Sequence, residues 1–308
     1  MTVYLSEYIH PDAQELLKKY ATVVDNFNEP DLIDAIILRV LPVDRRKMEL
    51  CQNLKVIGKH GVGCNTIDLS AAKERGITVL NTPHANTNSV AELIVGLILD
   101  VARNITRAHC HSQLGDFHCI APKELTGIEL TGKTLGLVGA GNIARQAAQI
   151  LQRGFDMKVI AYDPFVSEDT MTQMGYTKYN DVGDMVADAD IVNISVPLTP
   201  STTDLISGPV FNRFRSNAIL INAARGGIVN EVDLYQALKS GKLRAAACDA
   251  FVHEPPTSMN TNLYELDNFV GTPHIGAATE DAMYRMGMEI VEQVIRVLHG
   301  ETPCHRVV

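Results

Sequence analysis

Three side chains in the C-terminal half of the sequence, Arg225, Glu254 and His274, are of the types that bind carboxylates and move protons. Arginine has a planar guanidinium that grips a carboxylate through two parallel hydrogen bonds. Histidine can give or take a proton near neutral pH, and a neighbouring carboxylate fixes its tautomer and favours its charged form. Read singly, each would be an ordinary loop residue. Together they predict acid–base chemistry on a substrate that carries a carboxylate.

A glycine-rich turn, Gly139–Ala144, follows an apolar strand and opens a helix. Gly139 permits a tight turn, and Gly141 lets the backbone approach a pyrophosphate at the helix N-terminus. Ala144 replaces the usual third glycine and is still small enough for close packing of helix on strand. Asp163, nineteen residues beyond Ala144, ends the next strand. Its carboxylate can accept hydrogen bonds from ribose hydroxyls and would repel a 2′-phosphate, which predicts NAD rather than NADP.

Arg225 follows another predicted strand and precedes Gly226 and Gly227, which clear space around it. Strand ends are where open α/β sheets bind ligands. A nicotinamide site, a guanidinium and a carboxylate-paired imidazole can together oxidise a 2-hydroxy acid or reduce its 2-oxo partner.

The composition is that of a folded globular protein, with 308 residues, 46% of them hydrophobic and 20% charged. This length allows two domains, each with its own core. The formal charge of −9 argues against general nucleic-acid binding, which requires a basic surface. No apolar run approaches the length of about 18 residues that indicates a membrane span. The first residues do not resemble a signal peptide, and the six cysteines form no CxxC pair, so we expect a cytoplasmic protein with free thiols.

Short apolar runs alternate with helical stretches over residues 1 to about 100, which predicts a parallel sheet covered on both faces. The predicted strands are Val3–Leu5, Ala35–Val40, Leu54–Ile57 and Ile77–Leu80, and the helices are Pro11–Tyr20, Asp44–Cys51 and Asp68–Arg75.

A second α/β series begins at Lys133 and predicts a sheet of six or seven strands. Its strands are Lys133–Val138, Lys158–Tyr162, Ile191–Val196, Ala218–Ile221, Ala245–Cys248 and Asn268–Val270, with helices at Asn142–Gln152 and Glu231–Ser240. A last helix, Glu280–His299, is long enough to return the chain to the first domain. The predicted fold class is therefore α/β with two doubly wound parallel sheets. A Rossmann NAD domain (101–282) is inserted in a flavodoxin-like substrate domain (1–100 and 283–308).

Between the two series, Ser89 to about Cys110 has helical periodicity, and Ser89 followed by Glu92 predicts a capping box. A helix so apolar on one side suits a passage between domains, a subunit interface or an ordinary core position, and the pattern does not choose among them.

The run His109-Cys110-His111 and the later pair His118-Cys119 are the only candidates for metal ligands, but their spacing matches no common zinc pattern. We interpret them as a polar helix end and loop, and we expect no metal.

These motifs resemble those of the D-isomer-specific 2-hydroxyacid dehydrogenases, and the resemblance covers nearly the whole chain. It is carried by the glycine turn and Asp163, by Asn222–Gly227, by Asp249 with Glu254-Pro255, by Pro273–Gly276, and by the first-domain loops Lys59–Asp68 and Asn81–Pro83. The phosphoglycerate, glycerate and hydroxypyruvate branch is the most similar in pattern. Relatives of this kind are usually homodimers, so we expect a homodimer.

The resemblance implies roles for individual residues. His274 is the acid/base, Glu254 its partner and Arg225 the anchor for the substrate carboxylate and carbonyl. Asp249 is implied to bind the nicotinamide carboxamide. The implied NAD-binding residues are Gly139, Gly141, Asn142, Ile143, Asp163, Val196, Pro197, Ala223, Arg225, Asp249, His274 and Gly276. The implied substrate-binding residues are Lys59, His60, Gly61, Val62, Gly63, Arg225 and His274, with the backbone N–H groups of Gly61–Gly63 holding the carboxylate.

Lys59 lies where phosphoglycerate-oxidising relatives tend to have a basic residue, which hints at a phosphorylated or second anionic group on the substrate.

The rival interpretation is an NAD-sensing binding protein similar to transcriptional corepressors of the same fold. The presence of all three acid–base and anchor residues in their motif context favours an enzyme.

Overall fold

A computed structural model describes residues 1–308, which divide into two compact units. One unit comprises Met1–Ser89 with Ala277–Val308, and the other comprises Val90–Gly276. The boundaries predicted from the sequence, at residues 100 and 282, lie inside two helices of the structure, Thr87–Arg103 and Glu280–Leu298.

The order of strands and helices is that of an α/β protein, as predicted. The strands are β1 (Thr2–Leu5), β2 (Thr22–Val24), β3 (Ala35–Leu38), β4 (Val56–Lys59), β5 (Thr78–Leu80), β6 (Thr134–Val138), β7 (Lys158–Tyr162), β8 (Tyr176–Tyr179), β9 (Ile191–Ile194), β10 (Ala218–Asn222), β11 (Leu243–Cys248) and β12 (Phe269–Gly271). The helices are α1 (Pro11–Lys18), α2 (Arg45–Leu50), α3 (Leu69–Glu74), α4 (Thr87–Arg103), α5 (Ile105–Leu114), α6 (Asn142–Phe155), α7 (Glu168–Gln173), α8 (Val182–Asp188), α9 (Gly208–Phe211), α10 (Glu231–Lys239) and α11 (Glu280–Leu298).

The unit built from both ends of the chain contains a five-stranded parallel sheet with the order β2-β1-β3-β4-β5. Its central strand β3 is Ala-Ile-Ile-Leu and is buried throughout, as expected for a parallel strand covered on both faces. Helix α11 packs on β4, where a side chain at Gly58 would meet Val294 at 2.7 Å. The connection order reverses between β1 and β3, which is the doubly wound arrangement.

The carboxylate of Glu7, just beyond β1, fixes the loop that follows β3. It accepts hydrogen bonds from the N–H groups of Arg39, Val40 and Leu41 at 2.7, 2.9 and 2.7 Å. Burial raises the pKa of Glu7, but these bonds and one from the Ser6 hydroxyl outweigh burial, so its pKa lies below the ordinary value. A single ionised side chain therefore satisfies three consecutive backbone donors.

The unit Val90–Gly276 contains a seven-stranded parallel sheet with the order β12-β11-β10-β9-β6-β7-β8. The order reverses between β6 and β9, where Leu135 pairs with Ile191 and Val138 with Ile194. In open parallel sheets, ligands bind beside the carboxyl ends of the strands at this reversal. The core beneath the sheet consists of buried aliphatic and phenylalanine side chains, including Phe211 and Phe214.

The segment predicted as one helix from Ser89 to Cys110 is two helices. Helix α4 ends at Arg103, Asn104 adopts a left-handed conformation (φ 55°), and α5 begins at Ile105. The carboxylate of Asp100 accepts from the N–H and hydroxyl of Thr106 at 2.7 and 2.6 Å, which satisfies donors in the first turn of α5. The predicted capping box is also wrong. Helix α4 starts before Ser89, whose hydroxyl bonds the Thr279 hydroxyl at 2.7 Å.

No helix in the structure has both the length and the apolar character needed to cross a bilayer. All six cysteines are free thiols.

Candidate active site

The predicted site residues of the unit Val90–Gly276 all follow carboxyl ends of strands in the seven-stranded sheet. The glycine turn follows β6 and Asp163 follows β7, while Val196 and Pro197 follow β9. Ala223 and Arg225 follow β10, Asp249 and Glu254 follow β11, and His274 and Gly276 follow β12. Parallel strands end at one edge of a sheet, so the topology alone collects residues that are far apart in sequence.

The glycine turn has the shape needed to hold a dinucleotide. Gly139 has φ +92°, and a Cβ there would lie 2.6 Å from the carbonyl oxygen of Ser195 and 2.8 Å from Val196. A side chain at Gly141 would meet nothing within 4 Å, so the space above this residue is open. Gly141 is the N-cap residue of the fourteen-residue helix α6 and has no side chain with which to cap it. Open space beside Gly141, at the N-terminus of a helix, fits a pyrophosphate.

Asp163 lies beside this turn and helps to hold it. Its Oδ2 accepts from the N–H of Ala140 at 2.9 Å, and its Oδ1 accepts from the N–H of Phe165 at 2.9 Å. Each carboxylate oxygen has a second lone pair, so ribose hydroxyls can still donate to Asp163. These residues therefore fit an NAD-type dinucleotide, with Asn142 and Ile143 in the first turn of α6.

His274 and Glu254 meet although they follow different strands. The Nδ1 of His274 lies 2.9 Å from Oε1 and 3.0 Å from Oε2 of Glu254. An ionised carboxylate can only accept, so Nδ1 carries the hydrogen and donates it. The other ring nitrogen, Nε2, takes no part in this contact. Both side chains are partly open to solvent, at 41% for His274 and 36% for Glu254, so an external ligand can reach them.

The electrostatics of the pair favour an ionised Glu254. Burial raises the pKa of Glu254, but the hydrogen bond and charge of His274, the N–H of Phe251 and the charge of Arg225 together hold it below its ordinary value. The Phe251 N–H donates to Oε1 at 3.2 Å, which also fixes the carboxylate. A carboxylate that stays ionised keeps the histidine tautomer fixed.

Arg225 is held on a tight turn at the end of β10. The Asn222 side chain accepts from the N–H of Ala224 at 3.1 Å and donates to the carbonyl of Arg225 at 3.0 Å. The Arg225 guanidinium donates to the Ala224 carbonyl at 2.6 Å and is half-buried. At Gly226, a Cβ would overlap the backbone of Phe251, so the turn after β10 lies directly against the segment that carries Glu254.

Asp249, implied by the resemblance to bind a nicotinamide carboxamide, has an extensive set of contacts with its own chain. It is 2% exposed, and both oxygens accept hydrogen bonds from the turn that carries His274. The donors are the Thr272 hydroxyl (2.6 Å), the Ile275 N–H (2.8 Å) and the Gly276 N–H (2.8 Å).

The predicted substrate residues Lys59–Gly63 lie in the other unit, at the end of β4. Lys59 is buried, and its ammonium donates to the carbonyl of Arg39. His60 is 4% exposed, and its side chain is buried beside the backbone of Met283, although no hydrogen bond of good geometry joins them. Burial, with the charge of Arg39 second, lowers the pKa of His60 to about 4, so its ring is neutral at physiological pH.

The loop Gly61–Gly63 is fixed by the segment after β5. The Gly61 N–H donates to the Thr82 hydroxyl at 3.0 Å, and the Thr82 N–H donates back to the Gly61 carbonyl at 3.0 Å. Asn81 donates to the carbonyl of Val62 at 2.9 Å. These bonds use the Gly61 N–H and both carbonyls, which leaves the N–H groups of Val62 and Gly63 as the donors available to a ligand.

No group of three or more His, Cys, Asp and Glu side chains is arranged to hold a metal ion. His111, from the run considered above, instead pairs with Asp116 at 2.7 Å and with Asp267 at 3.4 Å.

Sequence reasoning missed several residues that shape the site. Asn222 lies within the motif Asn222–Gly227, and no role is predicted for it, although asparagine commonly accepts a hydrogen bond from the backbone N–H two residues on in a turn. Thr272 has no such signal. Glu231, the first residue of α10, accepts from the Val252 N–H at 2.7 Å and thereby braces the segment leading to Glu254. A glutamate in the first turn of a helix reads from sequence as ordinary charge placement.

The chain is similar to known proteins in both sequence and structure. The family model described as D-isomer specific 2-hydroxyacid dehydrogenase, NAD binding domain, matches residues 95–276. D-3-phosphoglycerate dehydrogenase of Methanocaldococcus jannaschii is 39% identical over 308 residues, which cover 97% of this chain and 58% of that protein. The chain thus spans little more than half the length of this relative.

Two further proteins are similar over most of their length. Hydroxypyruvate reductase of Thermotoga maritima is 41% identical over 268 residues, which cover 86% of this chain and 85% of that protein. The solved structure of D-lactate dehydrogenase from Aquifex aeolicus, complexed with NAD and lactic acid, matches with a TM-score of 0.86 at 27% identity. That match covers 98% of this chain and 96% of the other.

Proposed function

This chain belongs to the D-isomer-specific 2-hydroxyacid dehydrogenase family, a family of NAD-dependent oxidoreductases, and on that premise we propose that it interconverts a D-2-hydroxy acid and its 2-oxo acid. The observation that carries the proposal is the pairing of His274 with both carboxylate oxygens of Glu254, at 2.9 and 3.0 Å. The pair lies at the strand edge that also holds the glycine turn and Arg225.

His274 is the proton donor in the direction of reduction. Glu254 holds the Nδ1 hydrogen, so Nε2 is the nitrogen that delivers a proton to the carbonyl oxygen as that oxygen gains negative charge. In oxidation, Nε2 takes the proton from the hydroxyl group. The overall reduction consumes one 2-oxo acid, one NADH and one proton, and gives one 2-hydroxy acid and one NAD⁺.

Arg225 binds the substrate carboxylate and orients the adjacent carbonyl. Its guanidinium can form two parallel bonds to a carboxylate, which fixes the plane of a 2-oxo acid. The Asn222 contacts and the close approach of Gly226 to Phe251 hold Arg225 at a fixed position relative to Glu254. Such fixed placement is a large part of what an enzyme contributes to a reaction between bound groups.

The residues that would line the cofactor site are the twelve named from the family resemblance, and we propose that the glycine turn and Asp163 supply most of its affinity. Gly139, Gly141, Asn142 and Ile143 fit the pyrophosphate, and Asp163 fits the adenosine ribose. When bound, the nicotinamide supplies or accepts the hydride. Asp163 also disfavours a 2′-phosphate through charge repulsion, so the cofactor is NAD rather than NADP.

The substrate is of the phosphoglycerate or of the hydroxypyruvate/glyoxylate type. Two of the relatives described above have these names, and buried Lys59 places a cation at the end of β4. In the unit that contains Lys59, the N–H groups of Val62 and Gly63 are proposed to bind a carboxylate of the substrate, because the bonds that fix this loop use only the Gly61 N–H among its donors.

A homodimer is proposed as the working assembly. Helix α5 and the loop after it expose three large aliphatic side chains, Ile105, Leu114 and Ile120, each more than half accessible. We propose that these exposed side chains contribute to the contact between subunits. Light scattering on the wild type and on Leu114→Glu tests the assembly, and a monomeric wild type would overturn it.

The reaction itself is tested by following NADH oxidation against glyoxylate, hydroxypyruvate, pyruvate, phosphohydroxypyruvate and sulfopyruvate. We expect turnover with at least one of glyoxylate, hydroxypyruvate and phosphohydroxypyruvate. An NAD-sensing binding protein would instead bind NADH, as detected by fluorescence, and turn over none of the five.

A further inference from the structure

The turn that carries Arg225 is contacted by the segment that follows β9. Gly227, two residues after Arg225, has φ +80°, and its carbonyl accepts a hydrogen bond from the N–H of Asp204 at 2.8 Å. Leu198, near the start of the same segment, would lie 3.6 Å from a Cβ added at Gly227, which is ordinary van der Waals contact. The end of the Arg225 turn is therefore held by residues that are distant in sequence.

Asp204 has an unusual backbone conformation for a residue with a side chain. Its φ is +51°, in the left-handed region, where the backbone crowds a Cβ. Aspartate and asparagine adopt this region more often than other residues with side chains, and β-branched residues are outliers there. The Asp204 carboxylate accepts from the Asn230 side chain at 3.1 Å, but this contact is exposed. The backbone of Asp204 is thus the part that the buried structure uses.

Beyond Asp204, the same segment forms a short ladder with the residues after Gly227. The Ile206 N–H donates to the Ile228 carbonyl at 3.1 Å, and the Ile206 carbonyl accepts from the Asn230 N–H at 2.9 Å. Ile206 and Ile228 are fully buried, so solvent does not compete for these bonds. The left-handed corner at Asp204 lets its own N–H bond Gly227 while Ile206, two residues on, bonds Ile228.

The start of the segment is fixed separately, by Thr202. Its hydroxyl accepts from the Thr199 N–H at 2.8 Å and donates to the Pro197 carbonyl at 2.6 Å. Pro197 is among the residues proposed to line the cofactor site. Because Thr202 holds that end, a disturbance at Asp204 should leave the cofactor site in place.

We propose that Asp204 is a positioning residue for Arg225: its left-handed backbone holds the Gly227 carbonyl and so fixes the end of the turn that carries the substrate anchor. Asn222 and the backbone of Phe251 hold the earlier part of this turn, and Asp204 holds its exit. The inference rests on the proposed function for its kinetic consequence, whereas the backbone contact is a property of the chain alone. A small displacement of an anchoring group is costly to a reaction between bound groups.

Variants at position 204 separate the backbone conformation from the side chain. Asp204→Val places a β-branched residue in the left-handed region, whereas Asp204→Gly adopts that region freely but offers Asn230 no partner. Asp204→Asn keeps a tolerant residue and an acceptor. Asp156 provides the matched control, because it is also a left-handed aspartate (φ 52°) whose N–H donates a hydrogen bond, to the Gln152 carbonyl at 3.0 Å. It follows the last residue of α6, and its variants are Asp156→Val and Asp156→Gly.

The measurements are KM and kcat on the best 2-oxo acid, the NADH dissociation constant by fluorescence titration, and hydrogen–deuterium exchange of residues 226–230 in the cofactor-free protein. In Asp204→Val we expect KM to rise about 5- to 30-fold, the factor that corresponds to the cost of a side chain in the left-handed region. The fall in kcat should be smaller than the rise in KM, the NADH dissociation constant should stay nearly unchanged, and exchange in 226–230 should be faster.

The glycine and asparagine variants at position 204 should have nearly the KM and exchange of the wild type. Asp156→Val should lower the melting temperature, as Asp204→Val does, because both place a β-branched residue in the left-handed region. It should leave KM and exchange in 226–230 unchanged, since its backbone lies outside the Arg225 turn.

A wild-type KM in Asp204→Val, or an Asp204→Gly variant as impaired as Asp204→Val, would overturn the positioning role. An NADH dissociation constant that rises as much as KM would also overturn it and would assign the segment to the cofactor site. If Asp204→Val does not fold, Asp204→Ala is compared with Asp204→Gly, and equal KM values in these two contradict the proposal. If the wild type reduces no 2-oxo acid, the proposed function fails, but exchange in 226–230 still decides whether Asp204 holds the turn.

Discussion

His274 and Glu254 are joined by a two-point contact, in which one imidazole nitrogen lies within 3.0 Å of both carboxylate oxygens. The pair links the segments after β11 and β12, twenty residues apart in sequence. Because Nδ1 contacts both carboxylate oxygens, the imidazole ring has little freedom to rotate, and its other nitrogen, Nε2, points in a defined direction.

Removal of the imidazole should abolish most turnover without affecting cofactor affinity. We expect His274→Ala to lower kcat by about 10²- to 10⁴-fold, the range for loss of a general acid–base group. The NADH dissociation constant should stay nearly unchanged. Steady-state kinetics under conditions where chemistry limits the rate provide the measurement, with exposed His253→Ala as the control. Retention of most of the turnover in His274→Ala would remove it from the mechanism.

Arg225 should be irreplaceable by lysine. An ammonium is a point charge without the planar fork of a guanidinium, so Arg225→Lys should raise the KM for the 2-oxo acid, with some loss in kcat. Disrupting one partner of a desolvated charge pair typically costs about 2–5 kcal/mol in binding. Thermal melting and NADH titration should be unchanged, and Arg215→Lys, which alters an ion pair with Asp190 instead, is the control. A wild-type KM in Arg225→Lys would mean that the carboxylate binds elsewhere.

Asp163 should determine cofactor choice. In Asp163→Ala the ribose hydroxyls lose an acceptor and a 2′-phosphate no longer meets a negative charge, so kcat/KM should fall for NADH and rise for NADPH. The carboxylate also accepts the Ala140 N–H, so some loss with NADH reflects a looser glycine turn. Asp169→Ala, in the exposed first turn of α7, is the control. A wild type that prefers NADPH would contradict the assignment.

Much of the fold could be predicted because buried parallel strands have sequences that are uninterrupted apolar runs. Ala35–Leu38 and Ala218–Asn222 are of this kind, and both strands were expected. The strands β2 and β8 were missed because they are edge strands with little burial, and Tyr176–Tyr179 reads as Tyr-Thr-Lys-Tyr. Short edge strands carry no strong hydrophobic pattern.

The break between α4 and α5 lay beyond sequence reasoning for a different reason. An asparagine at position 104 does not by itself end a helix, so the break is seen only in the structure, where Asn104 is left-handed and Thr106 donates to the Asp100 carboxylate. The candidate acid–base residues His274 and Glu254 are predicted from their motif contexts. Their supporting contacts, such as those of Asn222 and Asp249, are not, because tertiary hydrogen bonds have no local signature.

The close contact at Gly226 predicts a large loss of stability on adding one methyl group. A Cβ at this position would overlap the Phe251 backbone, which cannot move without shifting the Glu254 segment. We expect Gly226→Ala to lower the free energy of unfolding by about 1–3 kcal/mol, as overpacking does, and to lower kcat as well.

Gly154 provides the matched comparison for Gly226. It lies in α6 with nothing within 4 Å of an added Cβ, so Gly154→Ala should stabilise by about 0.5–1 kcal/mol through helix propensity. Urea unfolding of both variants gives the free energies. Equal and small effects in the two variants would show that the Gly226 contact is loose.

Glu7 should make stability depend on pH in the acid range. Its pKa in the folded protein lies below the ordinary value of 4.5, because its hydrogen bonds outweigh burial. A depressed carboxyl pKa contributes stability that is complete above the unfolded-state pKa and is lost as the pH falls through the folded-state pKa. The wild type should therefore lose its advantage over Glu7→Gln as the pH is lowered from about 6 to about 3.

At neutral pH, Glu7→Gln should be less stable by about 1–3 kcal/mol. The Glu7 carboxylate accepts the N–H groups of Arg39, Val40 and Leu41 on its two oxygens, whereas a glutamine amide has only one oxygen that can accept. Urea unfolding at a series of pH values measures the difference. Glu15→Gln is the control, since the Glu15 carboxylate pairs only with exposed Lys18 and accepts no backbone N–H. A difference between wild type and Glu7→Gln that stays constant from neutral to acid pH would show that the ionised carboxylate is not what holds the loop after β3.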